Sequence, residues 1–290
     1  MSLRSLDAHT AQPKDIIDAL ALNGGIIVRN LIDSPTLSQI SQELAPYFTD
    51  FWKGDIFTSR SRVISGIAAK SPTLIKDIAC NPLFLEACDG LLTSKYKCWY
   101  GSEQVTFTSS PQLNAAIAIS NSPGNEPQKL HRDDMGLHHV QSAIPAEEYE
   151  PGRDVAVGIF VGATRTTVEN GATRFIPGSH LWDTARKPDE RLAVHAELQP
   201  GDAFIMLASC FHAGSANRSR EDRVVYSAFY TKGFLRQEEN QYLTLGKEHL
   251  AQYSPDVLRR LGFNTSEPFH GWVDLKSPME ALGLGNEEKE

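Results

Sequence analysis

Two histidines and an aspartate stand where they could share one metal ion: His131 and Asp133 form an H-x-D pair, and His212 follows far downstream. Two imidazoles and a carboxylate suit one face of an Fe(II) octahedron, leaving the opposite face open for a co-substrate and oxygen. Residues i and i+2 of a strand point to the same side, so a strand through His131 and Asp133 would present both to one ion. His212 is expected on a distant strand that folds back against the first. Arg223 comes next, across a turn, where its guanidinium fork can hold the far end of a dicarboxylate. The H-x-D pair alone arises often by chance. The ordered set of H-x-D, His and Arg in a β-rich chain is specific.

Such residues need a rigid frame, and the strand-like region from 95 to 232 is read as supplying it. Segments 104–109, 113–119, 155–161, 172–176, 203–207 and 223–230 are β-rich and separated by turn signals. Pro200-Gly201 suits a type II turn leading into the strand at 203. Many short strands with long excursions suit a double-stranded β-helix, the jelly-roll or cupin-like barrel. Residues 15–22 read as a helix ended by Gly24-Gly25, and 26–28 as a strand. Ser34 is read as the cap of a second helix with Pro35 at its first position and an apolar stripe of Leu37, Ile40 and Leu44. Segment 71–93 reads as helical, broken at Asn81-Pro82, and Ser254-Pro255 starts a helix that Gly262 stops. The expected fold is mainly β with flanking α. A helical buttress (1–94), a jelly-roll core (95–232) and a helical cover (233–290) together make one domain over 1–290.

The chain has 290 residues, 41% of them hydrophobic and 22% charged, ordinary proportions for a soluble enzyme able to bury a sizeable core. A net charge of -8 and no run of Lys or Arg argue against a nucleic-acid partner. Residues 1–13 lack the apolar core of a signal peptide, and no apolar window is long enough to span a membrane, so a cytoplasmic location is expected. Cys80, Cys88, Cys98 and Cys210 lack C-x-x-C spacing and read as reduced core residues. Cys210, two positions before His212, is expected to share its strand face.

The surrounding words are Gln128-Lys129-Leu130-His131-Arg132-Asp133-Asp134, then Asn170-Gly171-Ala172-Thr173-Arg174-Phe175-Ile176-Pro177-Gly178-Ser179-His180, then Pro200-Gly201-Asp202 and Phe211-His212-Ala213-Gly214. In that order they resemble the phytanoyl-CoA dioxygenase superfamily of Fe(II)/2-oxoglutarate oxygenases, over nearly the whole chain, and most closely its fungal natural-product and meroterpenoid branch. The resemblance implies Fe(II) held by His131, Asp133 and His212, with 2-oxoglutarate as co-substrate, O2, and ascorbate as an optional reductant. It implies that Arg223 binds the distal carboxylate of 2-oxoglutarate, with Gln128, Thr173 and Arg62 assisting; Arg62 is preferred to Arg60. Related halogenases carry a small residue where this chain has Asp133, which argues against halogenation.

His180 closes a Pro-Gly-Ser-His turn and is read as structural. His138 and His139 fall in a long loop, 135–154, that mixes them with Met135, Leu137, Val140 and Ile144. An amphipathic lid of this kind suits a bulky, mostly apolar small molecule carrying a few oxygens. The resemblance implies a terpenoid or meroterpenoid; an indole alkaloid would also fit. Two rival readings use the same residues: a cupin-like metal-dependent isomerase, and a catalytically inactive ligand-binding protein. Tyr242, Leu243, Leu245, Leu250, Phe263, Phe269 and Trp272 give segment 236–290 more apolar surface than a free tail carries, so a homodimer interface is expected there.

Overall fold

A computed structural model describes residues 3–54 and 56–284. Its strands are β1 (Ser5–Asp7), β2 (Gly25–Arg29), β3 (Ser61–Ile64), β4 (Ser94–Tyr100), β5 (Glu103–Ser109), β6 (Gln112–Asn121), β7 (Ala156–Gly162), β8 (Thr173–Phe175), β9 (Val194–Ala196), β10 (Ala203–Leu207), β11 (His212–Ala213) and β12 (Arg223–Thr231). Seven form one sheet in the order β1-β2-β10-β7-β12-β6-β3, in which β1 and β2 alone pair in parallel. A second sheet, β11-β8-β9, is widened at β11 by an antiparallel bridge between His131 and His212. Two sheets of this kind make the double-stranded barrel that the turn-punctuated sequence predicts.

Strand periodicity decides what each face of the large sheet does. On β12, Tyr226, Ala228 and Tyr230 join the hydrophobic core, as do Ala116 and Ala118 on β6. The helices at Pro13–Asn23, Ser34–Leu44 and Pro82–Leu92 contribute Leu20, Ile40 and Phe84 to that core. The Phe84 ring meets the Tyr230 ring edge-on at 5.9 Å. The alternate residues Arg223, Val225, Ser227 and Phe229 of β12, with Ala115, Ile117 and Ile119 of β6, line a cavity. One residue of slip would exchange the two sets, so the apolar pattern of the outer face fixes the register of the inner one.

Several local expectations shift. Asp33 rather than Ser34 caps the second helix, its Oδ1 accepting from the Thr36 amide at 2.9 Å; the cap lies one residue earlier because Ser34 and Pro35 are already in the first turn. The region read as helix over 71–93 contains a wide helical turn at Leu74–Ala79 and a helix at Pro82–Leu92 capped by Asn81. β4 begins at Ser94 and pairs with β5 in a separate hairpin. Gly201 takes a φ of 88° in the turn before β10, and the Asp202 amide donates to the Gln199 carbonyl at 3.0 Å, as the Pro-Gly signal requires. The Ser254 cap and the Gly262 stop bracket a helix at Pro255–Arg260. No helix among the described residues is long and apolar enough to cross a membrane.

Candidate active site

His131 and His212 are brought together by main chain before any metal is considered. Their amides and carbonyls exchange two hydrogen bonds, at 3.0 and 2.9 Å, and their rings lie 4.6 Å apart. Asp133 does not continue the strand as its spacing suggests. Its amide donates to the Ala208 carbonyl at 2.9 Å, and Asp133 opens a short 3-10 turn, Asp133–Leu137. That turn still delivers the carboxylate to the two imidazoles. Asp133 Oδ1 lies 3.4 Å from His131 Nε2, and Oδ2 lies 3.3 Å from His212 Nε2.

The donor set fits a metal ion. One ligand atom from each of the three residues lies within 4.8 Å of the others. Each histidine is also oriented from behind: His131 Nδ1 is 2.8 Å from the Lys129 carbonyl, and His212 Nδ1 is 3.1 Å from the Cys210 carbonyl. A carbonyl can only accept, so each Nδ1 carries the proton and each Nε2 lone pair faces the shared space. Burial raises the Asp133 pKa, but the two imidazoles outweigh it and hold the carboxyl well below the usual range. For His131 burial acts downward, and the Asp133 carboxylate overcomes it to leave the imidazole above its ordinary value. A carboxylate kept ionised between two imidazoles is already placed to meet a cation.

Arg223 is 3% exposed, and among the described residues its side chain makes one hydrogen bond, from Nη2 to the Gly171 carbonyl at 2.9 Å. Its buried Nε has no hydrogen-bond partner, and no carboxylate among the described residues pairs with it. Burial alone brings its pKa down to about 10. A buried guanidinium without an anion is costly, so the site fits an anionic ligand beside the triad. Gln128 shares the cavity and is fixed by the Gly214 amide donating to its Oε1 at 2.9 Å; Thr173 lies on the same wall. The cavity, of about 200 Å³, thus collects His131, Asp133, His212, Arg223, Gln128 and Thr173.

Arg62 is not brought there. Ser61 pairs across β3 and β6 with Asn121 and faces the cavity, so Arg62 projects to the opposite side, where its Nη2 pairs with Asp222. Cys210 is likewise turned away: its buried Sγ lies 3.5 Å from the Gly24 carbonyl, and its contribution to the site is the carbonyl that orients His212. His180 is buried with Nε2 3.0 Å from the Ala21 carbonyl, a structural role. His139 pairs with Asp134 at 3.0 Å, and neither it nor His138 lines the cavity.

Sequence reasoning missed Phe160, Ser227 and Glu238, all on the cavity lining. Ser227 lies four residues beyond Arg223, so strand alternation alone could have found it. Glu238 sits on the segment after β12, where no periodicity applies.

The phytanoyl-CoA dioxygenase family model matches residues 20–225. The dioxygenase peniF of Penicillium patulum is 47% identical over 97% of this chain and 92% of its own length. The dioxygenase himG of Aspergillus japonicus is 44% identical over 98% and 91%. Among solved structures, the non-haem α-ketoglutarate-dependent carbocyclase SnoK of nogalamycin biosynthesis superposes with a TM-score of 0.58. It is 15% identical, covering 87% of this chain and 94% of its own, which is a likeness of fold. The chain belongs to the phytanoyl-CoA dioxygenase family and is an oxidoreductase of the dioxygenase kind.

Proposed function

We propose that this enzyme is a non-haem Fe(II)/2-oxoglutarate-dependent oxygenase acting on a bulky, mostly apolar secondary metabolite, with terpenoid or meroterpenoid skeletons as the leading class. The observation that carries the reading is the unpaired, buried Arg223 in the same cavity as the His131–Asp133–His212 set. A metal-dependent isomerase needs the triad but has no use for a buried cation placed to receive a dicarboxylate. The α-ketoglutarate dependence of SnoK supports the same choice of co-substrate.

His131, Asp133 and His212 would hold the metal, and Arg223 would receive the distal carboxylate of 2-oxoglutarate, with Gln128 and Thr173 beside it. Bound there, Fe(II) and 2-oxoglutarate supply the oxidising equivalents from O2, the keto acid leaving as succinate and CO2. The chain's own residues do the rest. Asp133 fixes both imidazole edges toward one point. Phe160, whose ring lies 6.1 Å from that of His212, together with Val225 and Phe229 walls the site with apolar surface that excludes water and presents a C–H bond. The reading includes a cytoplasmic enzyme that is one domain and pairs as a homodimer through segment 236–290. In that segment Leu245 and Phe263 are buried in the protomer, whereas Leu243, Phe269 and Trp272 are exposed and available to a second copy. Calorimetric titration of the Mn(II)-loaded protein with 2-oxoglutarate tests the reading: saturable binding is expected, and its absence would leave the isomerase reading in its place.

A further inference from the structure

Glu238 is a carboxylate without a cation on a mostly apolar wall. It lines the cavity alongside Ala115, Ile117 and Phe229, and its side chain remains exposed, which puts it at the cavity mouth. Asn114, 5% exposed, fixes it from two directions. Asn114 Oδ1 accepts from the Glu238 amide at 2.8 Å, and Asn114 Nδ2 donates to Glu238 Oε2 at 3.3 Å. Among the described residues no hydrogen bond reaches the other oxygen, Oε1, and no ion pair forms. Asn114 also lies at the far end of β6 from Asn121, the cross-strand partner of Arg223. Seven residues at roughly 3.4 Å each separate the two ends, so Glu238 stands well away from the place that receives 2-oxoglutarate.

A second polar group points into the same apolar wall. Ser227 is 0% exposed, lines the cavity, and its Oγ has no hydrogen-bond partner. A buried hydroxyl left unpaired is an expensive feature to keep unless a bound molecule completes it. The charges on the rest of the site balance once it is loaded: the ion and Arg223 offset Asp133 and the two carboxylates of 2-oxoglutarate. The carboxylates of Glu126 and Glu238 then remain on the lining, and of the two Glu238 is the one held rigid beside the apolar surface.

We infer that the substrate carries a basic nitrogen on its apolar skeleton, and that Glu238 is the specificity-determining residue that receives the protonated amine while Ser227 hydrogen-bonds a second polar atom. The inference rests on the oxygenase reading above and narrows its substrate class. Burial first, and then the nearby Asp133 and Glu239, raise the pKa of Glu238, a penalty that an incoming cation relieves. A neutral skeleton would leave the negative charge of Glu238 without a cation beside the apolar wall.

The test uses two probes of one skeleton that differ in charge, tryptamine and its alcohol counterpart tryptophol, titrated calorimetrically into full-length protein loaded with Mn(II) and 2-oxoglutarate. Tryptamine should bind at least about tenfold more tightly than tryptophol. The isosteric Glu238→Gln, which keeps an acceptor for Asn114, should abolish that preference, and Glu126→Gln should retain it. Equal binding, preference for tryptophol, binding of neither probe, or a preference that survives Glu238→Gln would each overturn the inference. The 2-oxoglutarate titration that precedes the probes separates the two failures. If the co-substrate does not bind, the oxygenase reading fails; if it binds and the amine preference is absent, only the role of Glu238 fails.

Discussion

His131 and His212 exchange both of their backbone hydrogen bonds, so the two imidazoles are registered against each other by main chain rather than by a metal. Either side chain can then be removed without disturbing the bridge. His131→Ala and His212→Ala should melt close to the parent in metal-free buffer yet lose Fe(II) and Mn(II) binding. Asp133→Ala should do likewise, because the Asp133 amide, not its carboxylate, makes the bond to Ala208. Thermal melts paired with metal titrations check this, and a variant that holds metal as tightly as the parent removes that residue from the ligand set.

Arg223→Ala should weaken 2-oxoglutarate binding while leaving metal affinity near that of the parent. Losing one partner of a buried, hydrogen-bonded charge pair costs on the order of 2–5 kcal/mol, or roughly 30-fold at the least. Arg62→Ala should leave 2-oxoglutarate affinity within about twofold, since its guanidinium pairs with Asp222 outside the cavity. Calorimetry on the two variants separates these outcomes, and the reverse ranking would return the anchoring role to Arg62.

That contrast shows what the sequence could and could not say. The strands at 104–109, 203–207 and 223–230 were legible because turn signals bracket β-rich runs, and Arg223 was legible because it opens one of them. Arg62 was misplaced because Arg60, Ser61 and Arg62 are adjacent, and only the pairing of Ser61 with Asn121 decides which of them faces inward. Cys210 was misplaced for the same kind of reason: β11 starts at His212, so strand alternation does not extend back to Cys210. The H-x-D pair does come together with His212, but the geometric premise fails, since Asp133 reaches the cluster from a 3-10 turn rather than from a strand.

Gly24→Ala should destabilise the fold and loosen the metal site together. Gly24 has φ 74°, and an added Cβ would collide with Cys210 Sγ and lie 2.6 Å from His180 Nδ1. The left-handed backbone and the overpacking together cost about 2–4 kcal/mol. Because the Cys210 carbonyl orients His212, metal affinity should fall as well. Urea unfolding and metal titration of the same variant check the coupling; a destabilised protein with unchanged metal affinity would show that the His212 orientation does not depend on this packing.

Metal uptake should weaken as pH falls through the neutral range. In the metal-free protein His131 titrates above its ordinary value because Asp133 sits beside it, so a proton competes for Nε2 already at mildly acidic to neutral pH. Metal binding must expel that proton, and affinity should rise with pH until His131 is deprotonated and then level off. The same shift acts oppositely on the metal-free fold. A raised imidazole pKa adds stability that is present at low pH and lost as pH rises through it. Competition titrations across the neutral range read the first effect, and a flat affinity would mean that His131 is not protonated in the metal-free site.

Arg223 and the His131–Asp133–His212 set are proposed to serve one reaction that consumes 2-oxoglutarate. Its most direct measurement is succinate formed per O2 taken up when protein reconstituted anaerobically with Fe(II) and 2-oxoglutarate is exposed to oxygen, in the parent and in His212→Ala and Arg223→Ala. One succinate per O2 is expected in the parent, none above background in His212→Ala, and recovery of Arg223→Ala only at much higher 2-oxoglutarate. A parent protein that binds metal but forms no succinate, or an His212→Ala variant that forms as much, would contradict it.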